Sequence, residues 1–277
     1  MPAPPLQGQV ALITGGGRGL GRVYARTLAE AGAKVAVVGR TADSLEEAVR
    51  EITGAGGVAR AYAADVTNAA AVERAVSDAS RDLGPIDLIV NAAGVAEPLG
   101  PFVENDPTEW WRGIEVNLRG PYLVARFALP GMIARGRGRI VNVSSGVGTR
   151  AYPYLSSYAT GKTALIRLTE SVAAEVGSRG VKVLSISPGM VRTDMNRLLL
   201  AHPKSAEYFP WASEGIAQGK DFPPEASARL VLRLARGEGD ALSGRHLSVA
   251  DDLDALVARA AEVAERQALM LRLAALS

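Results

Sequence analysis

The chain has 277 residues, of which 48% are hydrophobic and 22% charged, and its formal net charge is only +2. This composition suits one large α/β domain with a substantial core, and the lack of a basic run interleaved with aromatic residues argues against a nucleic-acid partner. There is no cysteine, and the two histidines, His202 and His246, are far apart, so we expect no disulfide, no thiolate chemistry and no metal site.

The N-terminal sequence MPAPPLQGQ lacks both the basic start and the apolar core of a secretory signal. No run of about 18 uninterrupted apolar residues occurs, so no membrane span is expected. These observations predict a soluble, cytoplasmic protein.

Short apolar runs alternate with longer amphipathic stretches as far as residue 189. The predicted strands are residues 10–14, 34–39, 58–65, 86–94, 138–145 and 181–189. The predicted helices are residues 23–32, 44–52, 69–83, 107–134 and 156–176. Gly120–Pro121 should bend the fourth helix. Strands that are apolar almost throughout are typical of parallel sheets buried on both faces, so the pattern predicts an α/β fold with a doubly wound, Rossmann-type parallel sheet.

The last third of the chain is less regular. Residues 194–224 hold several prolines and aromatic side chains and are predicted to form a long loop or short helices, of the kind that often covers a substrate. Residues 247–249 predict an edge strand, and helical periodicity over 251–273 predicts a C-terminal helical extension, residues 251–277. The extension could pack on a partner subunit, cap the pocket or lie on its own subunit. The sequence predicts a single domain over residues 1–277.

A glycine-rich turn, TGGGRGLG, joins the first predicted strand to the first predicted helix. Glycines allow a tight turn and a close backbone approach to a pyrophosphate, and a helix N-terminus offers free N–H groups and positive potential. The turn therefore predicts a nucleotide site. Its residues are Thr14, Gly15, Arg18, Gly19, Leu20 and Gly21.

Tyr158 and Lys162 are four residues apart and share one helix face. A lysine ammonium beside a tyrosine hydroxyl favours the phenolate and lowers the tyrosine pKa, which suits proton transfer near neutral pH. Ser145 lies thirteen residues before Tyr158 and can hold a substrate oxygen. Alternation along the strand directs the neighbouring Ser144 to the opposite face.

The glycine spacing differs from the common GxGxxG fingerprint and resembles the TGxxxGxG pattern of the short-chain dehydrogenase/reductase family. The resemblance covers residues 8–250 and includes NAAG at 91–94, where Ala92 replaces the second asparagine of NNAG, and PGMVRT at 188–193. It implies a nicotinamide-dependent enzyme with a tetrad of Asn117, Ser145, Tyr158 and Lys162.

The resemblance also implies a role for each tetrad residue. Tyr158 would exchange a proton with the substrate oxygen, and Ser145 would polarise that oxygen. Lys162 would lower the Tyr158 pKa and bind the nicotinamide ribose, and Asn117 would hold a proton-relaying water. Besides the glycine turn, Tyr158 and Lys162, the implied cofactor contacts are Arg40, Asp65, Val66, Asn91, Ala92, Gly94, Pro188, Gly189, Val191 and Thr193.

The end of the second strand bears on cofactor choice. An acidic residue there binds the ribose 2′-hydroxyl of NAD, whereas the 2′-phosphate of NADP needs cations. Here Gly39 is followed by Arg40, and Arg18 offers a second guanidinium whose geometry matches phosphate. The pattern favours NADP(H) over NAD(H), with solvated surface arginines as the alternative.

Apolar and aromatic residues follow the strand ends near the tetrad. They predict a pocket for a medium-sized, largely apolar ketone or secondary alcohol, although such residues could equally pack on one another. The candidates are Val95, Val147, Tyr152, Met190, Met195 and Trp211, with Leu99, Phe102, Leu198–Leu200, Tyr208 and Phe209 nearby.

The sequence thus predicts an NADP(H)-dependent oxidoreductase that interconverts a ketone and a secondary alcohol. A dehydratase, epimerase or isomerase on the same fold is the first alternative, and a non-catalytic cofactor sensor is the second. The resemblance implies a homodimer or homotetramer, assembled through the helices that contain Asn117 and Tyr158.

Overall fold

The computed structural model describes residues 3–273, which form a seven-stranded sheet. All neighbouring strands are parallel, in the order β3-β2-β1-β4-β5-β6-β7. This confirms the predicted doubly wound α/β fold. The strands are β1 (Val10–Thr14), β2 (Lys34–Gly39), β3 (Val58–Ala63), β4 (Ile86–Asn91), β5 (Gly138–Val143), β6 (Val181–Ser187) and β7 (His246–Ser248).

Helices connect the strands and cover both faces of the sheet. In β1, Ile13 belongs to one core cluster together with Val231, whereas Leu12 belongs to the other together with Met132. Successive side chains of a strand point to opposite faces, so both faces of β1 are buried in the core. The helices are α1 (Gly19–Glu30), α2 (Ala42–Gly54), α3 (Ala69–Leu83), α4 (Pro107–Ile114), α5 (Gly120–Ala134), α6 (Ser156–Val176), α7 (Asp194–Ala201), α8 (Ser205–Tyr208), α9 (Pro210–Ala217), α10 (Pro224–Ala235), α11 (Leu253–Ala258) and α12 (Ala260–Glu265).

The bend expected at Gly120–Pro121 is a π-helical segment, Glu115–Arg119, between α4 and α5. Its wider turn lets the Gly120 N–H donate to the Glu115 carbonyl, five residues back. Pro121 has no N–H and cannot form the usual bond to the carbonyl of Asn117, and a π turn is one way in which a helix absorbs such a gap. Asn117 lies inside this turn and is fully buried.

Residues 194–224 contain α7, α8 and α9, in agreement with the predicted short helices. Helix α10, in contrast, is not among the predicted elements. Its buried residues Val231 and Leu234 recur at helical spacing, so the signal was present in the sequence. The helix packs on α1 and completes the cover of one sheet face.

The extension predicted over residues 251–273 is helical only between residues 253 and 265, and the prediction of a single continuous helix is wrong. The structure has α11 and α12, followed by a non-helical segment in which Gln267 and Leu269 have positive φ angles. This segment runs past the sheet edge, where the Leu269 carbonyl accepts from the His246 N–H at 2.8 Å. It then reaches α6, where the Leu271 N–H donates to Glu170 Oε1 at 2.7 Å. Pairing with the edge strand and with Glu170 replaces helical bonding, and the described part of the extension lies on its own subunit.

Within the described part of the chain, no helix is long and apolar enough to cross a membrane. Among residues 3–273, no three His, Cys, Asp or Glu side chains are grouped so that they could hold a metal ion.

His246 makes the stability of the fold depend on pH. Its Nδ1 lies 3.0 Å from Ser185 Oγ, and burial lowers its pKa to about 4. The unfolded chain binds that proton near pH 6.5, so the free energy of unfolding should decrease as the pH falls from 6.5 towards 4. Urea unfolding at pH 7.5 and pH 5.0 should show a smaller acid loss for His246→Gln than for the natural chain. Equal losses would contradict the assignment.

Candidate active site

The chemistry-bearing segments begin where the strands end. β3, β4, β5 and β6 finish at residues 63, 91, 143 and 187, two or three residues earlier than the apolar runs suggested. The carboxyl ends of parallel strands meet at one edge of the sheet, and ligands bind there in doubly wound folds. The loops that carry Asp65, Gly94, Ser145 and Gly189 therefore leave the sheet at the same edge.

The glycine turn has the backbone shape of a phosphate cradle. Gly15 and Gly19 adopt φ angles of 68° and 52°, which side chains other than glycine rarely tolerate. A Cβ on Gly21 would lie 2.2 Å from the Gly15 carbonyl oxygen. Helix α1 begins at Gly19, so its free N–H groups face this turn, where an anion is favoured.

Thr14 and Asn91 hold the strand ends together. Thr14 Oγ1 accepts from the N–H groups of Ala92 and Ala93, each at 3.1 Å. Asn91 Nδ2 donates to Asn142 Oδ1 at 2.8 Å. Both side chains are almost fully buried and are already hydrogen-bonded inside the protein. A cofactor would therefore contact Thr14, Asn91 or Ala92 through their backbone atoms.

Asn117, Lys162 and Met195 surround Gly94. A Cβ on Gly94 would lie 3.0 Å from Asn117 Oδ1, 3.4 Å from Lys162 Nζ and 3.9 Å from Met195 Cε. Asn117 clasps the backbone of Val95, donating to its carbonyl at 2.8 Å and accepting from its N–H at 3.3 Å. The sequence-predicted residues from three separate elements are thus brought together.

Lys162 is buried on α6 beneath Tyr158. Its Nζ donates to the Val143 carbonyl at 2.8 Å and lies 5.6 Å from the centre of the Tyr158 ring. A lysine ammonium has three donors, so two remain after the bond to Val143. This leaves Lys162 able to bind hydroxyl groups near Tyr158.

The two neighbouring serines have different roles, as alternation predicted. Ser144 is buried, and its Oγ donates to the Lys162 carbonyl at 2.9 Å, which joins β5 to α6. Ser145 Oγ accepts from the Val147 N–H at 3.2 Å. This bond uses only an acceptor site, so the Ser145 hydroxyl can still donate its own proton, and the Tyr158 oxygen is one acceptor within its reach.

The pKa of Tyr158 is shifted in the direction opposite to the sequence expectation. Burial raises it, and a hydrogen bond with Ser145 opposes the shift only in part. Burial also lowers the pKa of Lys162 to about 8. Desolvation disfavours the charged form of both groups, so this structure holds Tyr158 as a protonated acid at neutral pH.

Asp65 is paired with an arginine that the motifs did not single out. Its Oδ2 accepts from Arg112 Nη2 at 2.7 Å, and its Oδ1 accepts from the N–H and hydroxyl of Thr67. Burial disfavours its ionised form, but the bonds from Thr67 and Arg112 outweigh burial and hold the Asp65 pKa below its usual range. The adjacent Val66 is buried against Gly120.

Arg18 and Arg40 are the exposed cations beside the glycine turn. Both side chains face solvent, and within residues 3–273 neither forms an ion pair, whereas nearby Arg22 pairs with Glu47 and Glu51. Gly39 ends β2, and the residue after it is Arg40, not a carboxylate. The two guanidinium groups are therefore available to an anionic ligand.

The loop after β6 is attached to the segment that follows α9. The Met190 carbonyl accepts from the Phe222 N–H at 2.8 Å, and Arg192 Nε donates to Asp221 Oδ2 at 2.6 Å. Pro188 and Val191 are buried. Thr193 Oγ1 lies 3.5 Å from the Asn196 N–H and caps α7.

The candidate substrate residues fall into two groups. Met195 approaches Gly94, and Val147 is buried just after Ser145. Tyr152 and Trp211 instead meet edge to face at 5.4 Å beside a small core of their own. That core contains Leu155, Leu199, Tyr208, Phe209 and Ala212, with Leu99 packed against it. Phe102, Leu198 and Leu200 are exposed.

Trp110 forms a clamp on the start of α6 that the sequence motifs do not predict. Its Nε1 donates to Ser156 Oγ at 2.9 Å, and its carbonyl accepts from Ser157 Oγ at 2.7 Å. A Cβ on Gly113 would lie 2.2 Å from Ser157 Oγ, so this glycine allows the approach. The residues just before Tyr158 on α6 are thereby joined to α4.

A doubly wound parallel sheet, a glycine cradle at the end of β1 and a Ser-Tyr-Lys group at the same edge define a nicotinamide-dependent oxidoreductase of the Rossmann class. The family model described as short chain dehydrogenase matches residues 9–204, and the chain belongs to this short-chain dehydrogenase/reductase family. It is 35% identical over 264 residues to a short chain dehydrogenase of Pseudocercospora fijiensis, covering 92% of this chain and 84% of that protein.

Solved structures agree with the sequence comparison. An NAD⁺-bound xylitol dehydrogenase superimposes with a TM-score of 0.82 at 29% identity, covering 88% of this chain and 98% of that one. A metagenomic short-chain oxidoreductase in complex with NADP superimposes with a TM-score of 0.70 at 33% identity, covering 84% and 92%. Solved structures similar to this chain thus include complexes with either nicotinamide cofactor.

Gly21→Ala should disrupt the cradle, because its Cβ cannot fit beside the Gly15 carbonyl. We expect the dissociation constant of the nicotinamide cofactor, measured by quenching of tryptophan fluorescence, to increase by at least about tenfold. Gly54→Ala is the matched control, since nothing lies within 4 Å of its added Cβ. Unchanged cofactor affinity in Gly21→Ala would show that the turn does not form the site.

Proposed function

We propose that this chain is an NADP(H)-dependent oxidoreductase that interconverts a ketone and a secondary alcohol on a medium-sized, largely apolar molecule. The proposal rests on one observation above all. Tyr158, Lys162, Asn117 and the Ser145 hydroxyl lie at the sheet edge where the glycine turn also opens.

The residues present fit a dinucleotide. Gly15, Gly19 and Gly21 form a cradle that a side chain would fill, and the start of α1 offers N–H groups to a pyrophosphate. Asp65 and Val66 would border the adenine, while Pro188, Gly189, Val191 and Thr193 would border the nicotinamide. When bound, the nicotinamide supplies or accepts the hydride.

The protein moves the proton. In reduction, the Tyr158 hydroxyl would donate its proton to the substrate oxygen, and in oxidation the phenolate would take it back. The raised pKa of Tyr158 favours the protonated form, which suits reduction. Ser145 would donate a hydrogen bond to the same oxygen and so stabilise the negative charge that develops there.

Lys162 and Asn117 would support this step. Lys162, with its pKa of about 8, is largely protonated at pH 7, and its two remaining donors could bind ribose hydroxyls. Its charge would also favour the Tyr158 phenolate during oxidation. Asn117 fixes the backbone at Val95 and lies next to Lys162, where a water held in the π turn would relay protons.

An apolar substrate is supported by the side chains nearest the tetrad. Met195 and Val147 offer no charge to a ligand, and the aromatic pair of Tyr152 and Trp211 lies in the segments that follow. Assembly as a homodimer or homotetramer is supported by the outer faces of α5 and α6, where Tyr122 is 48% exposed beside a shallow groove lined by Leu129, Leu168 and Val172.

Tyr158→Phe removes the transferable proton while retaining the ring. We expect turnover to fall to background, by at least about a thousandfold, with cofactor affinity nearly unchanged. Ketone-dependent NADPH oxidation measures the first quantity and fluorescence titration the second. Tyr154→Phe is the matched control, because Tyr154 has no lysine four residues later. Substantial turnover in Tyr158→Phe would refute the mechanism.

Arg40→Asp should reverse cofactor preference. A carboxylate at this position repels the 2′-phosphate and can accept from a ribose hydroxyl. The ratio of kcat/KM for NADPH to that for NADH should decrease by at least about a hundredfold, because a charge-assisted phosphate contact is lost and a repulsion is added. Arg74→Asp, an exposed arginine on α3, should leave the ratio unchanged. A retained preference for NADPH in Arg40→Asp would contradict the assignment.

A further inference from the structure

A cavity lies at the edge of the sheet opposite the active site. It has a volume of about 300 Å³ and is formed by α3, the end of α5 and the start of β4. Ile86, in its wall, is the first residue of β4, and Asn91, beside the glycine turn, is the last. They are five positions apart along the strand, a rise of roughly 16 Å. The cavity is therefore separate from the site of Tyr158.

The wall of this cavity combines apolar and polar surfaces. Val76, Phe127 and Ala128 supply the apolar part, and Ser77 and Ser80 add hydroxyl groups. The volume is at the lower end of the roughly 300–1,000 Å³ of small-molecule sites, which are mostly apolar with a few polar groups that orient the ligand. The space thus suits a compact ligand with an apolar body.

Arg135 supplies an unused, buried donor. Its Nη2 donates to the Ile86 carbonyl at 2.5 Å, which anchors the guanidinium in the wall. Its Nε is buried and has no hydrogen-bond partner within residues 3–273. The guanidinium also has no ion-pair partner in that part of the chain, whereas nearby Arg137 lies 3.5 Å from Asp87. A buried charged donor without an acceptor is unfavourable. The guanidinium hydrogens that Ile86 does not use also have no acceptor within residues 3–273, and Arg135 lines the cavity, so a carboxylate placed there could accept from its Nη groups.

Glu73 limits the charge that such a ligand can carry. Its exposed carboxylate borders the same cavity and would repel a second negative group. One carboxylate satisfies Arg135, whereas a dianion would meet Glu73. We propose that the cavity is a second binding site for a small monocarboxylate with an apolar or aromatic body, its carboxylate held by Arg135 and its body by Val76 and Phe127.

The test is a ¹⁹F NMR titration of the full-length protein, saturated with NADP⁺, using 4-fluorophenylacetate as the probe. We expect saturable binding that is at least about tenfold weaker for 4-fluorophenylacetamide, which lacks the charge. Arg135→Gln should weaken carboxylate binding by a similar factor, and Arg137→Gln, the matched control, should leave it unchanged. Ketone turnover should be unaltered in both variants, because neither residue belongs to the active site.

Arg135→Gln also removes the bond to the Ile86 carbonyl, so a second variant is needed. Ser77→Leu places a bulky side chain at the exposed side of the cavity and leaves Arg135 in place, and it too should weaken binding. Absence of binding, equal affinity for the acid and the amide, or binding that both variants leave unchanged would each overturn the proposal. The last result would assign the probe to another surface.

Discussion

The site depends on the parallel pairing of β1, β4, β5 and β6. Because these strands are parallel neighbours, the loops that leave their carboxyl ends lie side by side at one edge of the sheet. Thr14 and Asn91 then secure the junction, through bonds to the Ala92 and Ala93 amides and to Asn142. Buried polar side chains that are hydrogen-bonded in this way specify one arrangement of neighbouring strands. The positions of Gly15 and Gly94 follow from it.

Helix α6 is the second element on which the site depends, because it carries both Tyr158 and Lys162. Trp110 holds its first residues against α4, and Ser144 bonds to the Lys162 carbonyl in its middle. Further along, Glu170 accepts from the backbone of the C-terminal segment at Leu271. The helix is therefore fixed at several points along its length, which holds the Tyr158 hydroxyl and the Lys162 ammonium in place relative to the end of β5.

Much of this arrangement could be predicted from the sequence. Apolar runs and the glycine turn were enough for β1 to β6. The spacing of Ser145, Tyr158 and Lys162, together with the family resemblance that added Asn117, predicted side chains that the fold brings to one edge of the sheet. Strand ends were placed too late, because Ala64 after β3 and Ala92 and Ala93 after β4 continue the apolar runs beyond the last paired residues. The C-terminal extension was misjudged, since helical periodicity cannot reveal that His246 and Glu170 offer competing partners to its backbone.

Other features depend on three-dimensional contacts that no local pattern reports. Arg112 meets Asp65 across 47 residues of sequence, and Trp110 meets Ser156 across 46. The sign of the Tyr158 pKa shift was also beyond the sequence. A lysine four residues away predicts a decrease, but the depth of burial, which only the fold defines, decides in favour of an increase.

The most direct measurement is the stoichiometry of NADPH oxidation during turnover of a panel of apolar ketones, with the product alcohol quantified in the same samples and NADH run in parallel. A redox enzyme of the proposed kind should form one secondary alcohol for each NADPH consumed, and should do so faster than with NADH. Conversion of a substrate with no net change in NADPH would contradict hydride transfer to a ketone as the reaction and would indicate a dehydratase, epimerase or isomerase on this fold.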